Sequence, residues 1–280
     1  MAGSAVDVDV DVAELRRRVE AIDWYHTFDL PGGITTRGLF DHRKVVHKLP
    51  IPASLAGLRC LDAASSDGFF AFELARRGAA EVVSVDLADA SRQDWQRPPL
   101  DPAKRSRGTD RAATAFAIVR DATGLDVERV DRSLYDLDPA DLGTFDFVFL
   151  GNILLHLADP ARALRAIRSV TRPGGTLLSF EAVSMPMTLL RPRTPVAQLW
   201  HEDHAQWWTP NVAGHRRLLH AGGWDVVRAG GPLFQPLGAA KPRWPRRIPR
   251  TPRELTYWLF TRRFGGATAW ALAHPAELPG

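Results

Sequence analysis

Two aspartates raise the first chemical question. Asp62 closes an apolar run that begins at Leu58, and Asp86 closes a second run, 81–86, 24 residues further on. A carboxylate at that distance beyond a nucleotide-binding loop can accept from both hydroxyls of a ribose. Asp62-Ala63-Ala64-Ser65-Ser66-Asp67-Gly68 follows the first run. A tight loop ahead of a helix lets backbone approach a ligand. Only Gly68 stands where a dinucleotide fingerprint would put glycine, and there is no Gly-Lys-Ser/Thr phosphate loop. The pattern therefore favours a nucleoside ligand without a phosphate cradle, such as S-adenosylmethionine. The alternative is a plain βαβ unit whose acids cap helices.

Histidine is the commonest general base near neutral pH. His26, His156, His201 and His204 stand in places where one could serve. Each has a plainer role open to it: His26 bonding backbone, His156 buttressing the turn before Asp159. His201-Glu202-Asp203-His204 has the spacing of two metal ligands on one helical turn, but such a polar group is usually just solvated, so no metal is expected. Trp200, Trp207 and Trp208 would either wall a pocket for an apolar or cyclic substrate or pack their segment onto the core.

The elements that must position these residues follow an alternating rhythm. Strands are expected at 58–62, 81–86, 127–133, 146–150 and 176–181. Helices are expected at 12–22, 68–77, 109–123 and 159–170, the last with Asp159 as N-cap and Pro160 in its first turn. Pro173-Gly174-Gly175 reads as a turn and 98–107 as a polar loop. Strands alternating with helices predict an α/β fold with a parallel sheet and helices on both faces. After Ala182 the rhythm breaks. Residues 185–210 read as an irregular insertion, 212–221 as a helix, 224–228 as a late strand and 230–253 as a Pro- and Arg-rich stretch. The expected organisation is a leader and helical cover over 1–56, a main domain over 57–230 and a basic extension over 231–280.

The chain has 280 residues, 45% apolar and 24% charged, the balance of an ordinary globular protein. Its apolar runs are too short to cross a bilayer. The charged first twenty residues lack the apolar core of a secretory leader. The single cysteine, Cys60, reads as a small buried hydrophobe and predicts a reducing, cytoplasmic setting. Net charge is only +4, and 241–263 holds eight Lys or Arg against one Glu. The remainder is slightly acidic, which argues against a broad nucleic-acid surface.

Several stretches together carry a family resemblance: Trp24–Leu30 (WYHTFDL), Cys60–Phe72 (CLDAASSDGFFAF), Val83–Asp86, Ser133–Asp138 (SLYDLD), Thr144–Pro160 (TFDFVFLGNILLHLADP) and Gln206–Asn211 (QWWTPN). The chain resembles a class I S-adenosylmethionine-dependent methyltransferase with a Rossmann-like sheet. More narrowly, it resembles the tRNA 5-methoxyuridine methyltransferase-like group, kin to the enzyme that carboxymethylates wobble uridine. The resemblance implies a cofactor loop of Asp62, Ala63, Ala64, Ser65, Asp67 and Gly68. It implies ribose on Asp86 beside Leu87, and adenine bordered by Ser133, Leu134 and Tyr135. Leu150, Gly151 and Asn152 would face the methionine part, under a cover formed by Trp24, Tyr25 and His26.

Two departures matter. Ala64 replaces a usual glycine and would keep the loop's path with a negative φ. Leu155, Leu157 and Ala158 flank His156 where the carboxymethylating relatives have a Tyr and basic groups, so ordinary S-adenosylmethionine is expected. The resulting expectation is O-methylation of a small metabolite such as a sugar, polyketide or aromatic hydroxyl, with tRNA the less favoured acceptor.

Overall fold

The computed structural model describes residues 11–96, 109–199, 206–241 and 263–277. Among the described residues, seven strands build the central sheet: β5 (Arg59–Ala63), β6 (Glu81–Asp86), β7 (Glu128–Asp131), β8 (Phe145–Gly151), β9 (Thr171–Ala182), β12 (Trp224–Gln235) and β13 (Gly266–Pro275). Their order is β12-β13-β9-β8-β5-β6-β7. β5 pairs in parallel with both β6 and β8, so the strand order reverses there. In an open α/β sheet that reversal opens a crevice beyond the carboxyl ends of the strands.

Period-two alternation divides the core between the two faces. Cys60, Phe147 and Phe149 join an apolar layer with Phe72 and Phe116. Leu61, Val148 and Leu150 join the opposite layer with Leu164, Ile167 and Trp224. Cys60 is fully buried, and burial pushes its thiol up to about 12, so it behaves as a hydrophobe. The expected helices appear at Val12–Glu20, Phe69–Arg76, Thr109–Thr123, Pro160–Ser169 and Val212–Ala221. The fourth of these starts as its sequence predicts: the Asp159 carboxylate accepts from the Arg162 amide at 2.9 Å, and Pro160 sits in the first turn.

Three differences from the sequence reading have physical causes. First, β9 begins at Thr171, before the expected turn, because 172–175 bulges out between the pairs Phe145–Thr171 and Phe147–Thr176. Second, 185–210 is more ordered than its lack of period suggests. Met185–Leu190 is helical, and β10 (Ala197–Leu199) pairs antiparallel with β11 (Trp208–Pro210). The fully buried Asn211 organises this segment: its amide donates to the carbonyls of Arg191 and Thr194, and its oxygen accepts from Val196 and Gly214. Hydropathy cannot reveal a side chain acting as a backbone partner.

Third, the late strand does not stop at Arg228. β12 continues to Gln235, and β13 inserts between β9 and β12, antiparallel to both. Alanine and glycine dominate β13 and are poor strand formers, so its sequence signal is weak. Residues 1–10, 98–107 and most of 241–263 lie outside the described residues.

The N-terminal cover is less helical than expected. After the α-helix Val12–Glu20, β1 (Trp24–His26) pairs in parallel with β4 (Gly38–Phe40), and β2 (Asp29–Leu30) pairs antiparallel with β3 (Ile34–Thr35). The β1–β4 approach requires Gly38, since a Cβ there would lie 2.3 Å from the His26 carbonyl carbon. Amide bonds from Asp41 to the Pro236 carbonyl and from Gly238 to the Leu39 carbonyl tie this cover to the chain after β12.

Candidate active site

A cavity of about 300 Å³ opens beyond the carboxyl ends of β5, β6 and β8. That is the lower end of the usual range for small-molecule sites. Among the expected cofactor residues, Asp62, Ala64, Ser65, Asp86, Leu87, Ser133, Leu134, Tyr135, Gly151, Asn152 and Tyr25 line it. His26 and His156 line it as well.

The loop after β5 is held by backbone bonds from Ala64 and Ser65 to the Val85 carbonyl, and by the Ser65–Ser84 hydroxyl pair at 2.6 Å. Ala64 has φ +64°, not the expected negative value, and Ser66 has φ +52°. The loop therefore takes a left-handed turn with a Cβ present, at a cost of roughly 1–2 kcal/mol. Gly68 has φ +85° and starts the Phe69–Arg76 helix; a Cβ there would meet the Phe116 ring at 2.5 Å.

The Asp86 carboxylate accepts from the Ser66 amide at 2.5 Å and the Leu87 amide at 2.7 Å. A carboxylate has about four acceptor positions, so capacity for two ribose hydroxyls remains. Burial raises its carboxyl above the usual range, against the opposing charge of Arg129. Asp62 accepts from the Ala71 amide at 2.8 Å, and burial lifts its carboxyl to about 8.

Asp67 faces the cover. Its Oδ2 accepts from the Tyr25 and His26 amides at 3.1 and 2.8 Å, and its Oδ1 meets His26 Nδ1. With Nδ1 donating to the carboxylate, His26 presents Nε2 as its basic nitrogen. Beyond β8, Asn152 has φ +53° and a buried Oδ1 without a hydrogen-bond partner, while its amide donates to Gln235. Glu181 is buried beneath this turn and accepts from the Ile153 and Leu154 amides at 3.4 and 3.2 Å. Burial raises its carboxyl to about 8.

Several expected residues serve differently. Trp24 is 2% exposed, and its indole donates to the Val19 carbonyl, so it belongs to the core rather than the cavity wall. Ala63, Asp67, Gly68 and Leu150 shape the wall from behind without lining it; alternation turns Leu150 into the core and leaves Phe149 and Gly151 toward the cavity. Trp207 donates to the Asp94 carbonyl and Trp208 to the Leu154 carbonyl, so both clasp neighbouring segments and neither lines the cavity. Trp200, His201 and His204 lie outside the described residues. Among the described residues no His, Cys, Asp and Glu gather as a metal site.

Sequence reasoning missed Asp94 and His42. Asp94 accepts from the Tyr135 hydroxyl and, at 2.7 Å, from the Ala158 amide, tying the segment after β6 to the turn after β8. His42 is 1% exposed and lines the cavity from the cover. Neither lies in a recognisable motif.

A family model described as a methyltransferase domain matches residues 61–179. The chain is 30% identical over 123 residues to a ubiquinone biosynthesis O-methyltransferase of Neisseria meningitidis serogroup C, covering 44% of this chain and 43% of the relative. It is 32% identical over 124 residues to the protein of that name in Marinobacter nauticus, with 44% and 43% covered. The chain thus spans less than half the length of these curated relatives. The crystal structure of the N-terminal domain of EvdMO1 with SAH bound superposes at a TM-score of 0.52 and 15% identity, covering 96% of this chain and 98% of that one. Among the described residues no helix is long and apolar enough to cross a membrane.

This geometry has two consequences for stability. Ala64→Gly relieves a left-handed Cβ and should stabilise the fold by about 1 kcal/mol in urea denaturation; destabilisation would contradict the strain. Glu181 is held neutral in the fold up to about pH 8 but ionises near 4.5 when unfolded. Between those values the folded chain binds the extra proton, so this contribution is full below pH 4.5 and is lost as pH rises to 8. Between pH 5 and pH 8.5, Glu181→Gln should therefore gain about 1 kcal/mol or more on wild type, and equal pH slopes would contradict the burial effect.

Proposed function

We propose that this chain, built on the class I methyltransferase fold, is an S-adenosylmethionine-dependent methyltransferase that O-methylates a small-molecule metabolite. The observation that carries the reading is the Asp86 carboxylate, seated at the end of β6 against the Ser66 amide and open to a cavity at the sheet's reversal point. The orphaned Asn152 Oδ1 supports it, because a buried acceptor without a donor suits a ligand with an ammonium or hydroxyl to offer.

Asp86 would hold the ribose, Leu134 and Tyr135 the adenine edge, and Gly151 and Asn152 the amino-acid end. S-adenosylmethionine supplies an electrophilic methyl group on a sulfonium. Burial leaves Asp62 and Asp86 short of positive charge, which a cationic ligand in this cavity would supply. His26 would take the acceptor hydroxyl's proton at Nε2, its imidazolium steadied by Asp67. His156 also borders the cavity, after β8. Alignment of the reacting groups by the cover and the turn after β8 would supply much of the remaining rate.

The plain cofactor is preferred over its carboxylated form. Leu155 and Leu157 are buried and apolar. The cavity's arginines already face acids: Arg92 with Asp131 at 2.9 Å, Arg111 with Asp23 at 3.6 Å and Arg132 with Asp141 at 2.5 Å. The relatives' shared name supports a small-molecule acceptor over a wobble uridine. Of the basic segment 241–263, only Lys241 and Arg263 are among the described residues. A cytoplasmic site of action is part of the same reading.

Calorimetry on Asp86→Ala tests the assignment. Removing a charged acceptor from two hydroxyls should weaken S-adenosylmethionine by roughly 30-fold. Unchanged affinity would refute the role of Asp86.

A further inference from the structure

Among the described residues, His42 lines the cavity with both ring nitrogens left unmet by the protein. Its ring is 1% exposed, and neither Nδ1 nor Nε2 has a hydrogen-bond partner. A neutral imidazole carries one N–H donor and one lone pair, and burying both unsatisfied is costly and uncommon. The neighbouring rings cannot supply the bonds. Phe70 lies at 5.2 Å between centroids, Phe69 at 5.7 Å, Phe40 at 6.1 Å and Phe180 at 6.2 Å. His26 lies at 4.7 Å between centroids, its Nδ1 is engaged with Asp67, and no hydrogen bond joins the two imidazoles.

The position is nonetheless built. The Asp41 amide donates to the Pro236 carbonyl, and the Asp41 carboxylate is held by Arg43 at 2.7 Å and Lys44 at 3.2 Å. The backbone thus places the His42 ring without using its nitrogens. Burial, with His26 beside it, keeps His42 well below its ordinary pKa. It stays neutral and can both donate and accept, whereas His26 has its Nδ1 committed to Asp67.

We propose that His42 recognises the hydroxyl of a neutral aromatic acceptor, which seats its ring against the phenylalanine wall and supplies one of the imidazole's two missing hydrogen bonds. This rests on the methyl-transfer reading and adds the acceptor class to it. Phe70 stacks on Phe149 at 3.9 Å and 22°, and both line the cavity with Tyr25 and His26. Such a wall suits a flat apolar ring with few polar groups. An anionic acceptor gains little here, since the lining arginines face Asp131, Asp23 and Asp141.

The test uses 2-naphthol as probe, titrated into the full chain with and without saturating S-adenosylhomocysteine. 2-Methoxynaphthalene, which lacks the hydroxyl proton, and methyl glucoside, which lacks the aromatic ring, are the comparators. His42→Phe should weaken 2-naphthol about tenfold, the loss of one buried hydrogen bond. His42→Gln should restore it to within about threefold, and S-adenosylhomocysteine affinity should stay within about twofold in both variants. In wild type, 2-naphthol should shift the His42 ring ¹⁵N resonances, and methoxynaphthalene, whose ether oxygen accepts but cannot donate, should shift them less. Equal 2-naphthol affinity in wild type and His42→Phe, unmoved ¹⁵N resonances, or tighter binding of the glucoside would each overturn the proposal. Failure of S-adenosylhomocysteine to bind wild type would instead sink the methyl-transfer reading, while the titration without it still judges His42.

Discussion

The arrangement hangs on one buried carboxylate. Asp67, 1% exposed, sits in the loop after β5 and turns toward the N-terminal cover. Its three bonds, to the Tyr25 amide, the His26 amide and His26 Nδ1, join two segments more than forty residues apart. A buried carboxylate is tolerable only when its acceptor positions are filled, so the cover must dock where those donors reach it. Docking there brings His26 and His42 to the cavity and lets β1 meet β4 across Gly38. Charge, strand pairing and site geometry are thus parts of one constraint.

The cavity divides by chemistry. Around the ends of β5 and β6 it is acidic and rich in backbone donors, with Asp62, Asp86 and the strained Ala64–Ser66 turn. Toward the cover it is aromatic, with His26, His42 and the Tyr25 hydroxyl as its polar features. The half-buried Arg129 donates to the Ser66 carbonyl at 2.7 Å and lies over the Phe116 ring, tempering the acidic end without neutralising it. A polar, charged ligand suits the first region and a flat apolar one the second.

Much of this is legible in the sequence. The run to Asp62, the run to Asp86 and the capped helix at Asp159 each carry local signals, and local signals survive folding. The alternating core of β8 is legible for the same reason. What escapes is held together at long range. β13 is poor in strand formers and exists because β9 and β12 offer edges on either side. The hairpin before Asn211 depends on one side chain's four bonds. In sequence, Trp24 and Trp208 look like surfaces for a ligand, yet their indole donors find carbonyls of the chain itself. His42 carries no motif; its meaning comes from what surrounds it.

At the centre stands the proposal that a nucleoside cofactor lies across the ends of β5 and β6 with its reactive end toward the cover. A crystal structure of the chain with S-adenosylhomocysteine tests this most directly. Ribose hydroxyls are expected on Asp86, adenine beside Leu134 and the thioether toward His26. A ligand bound elsewhere, or reversed so that adenine meets the phenylalanine wall, would contradict it.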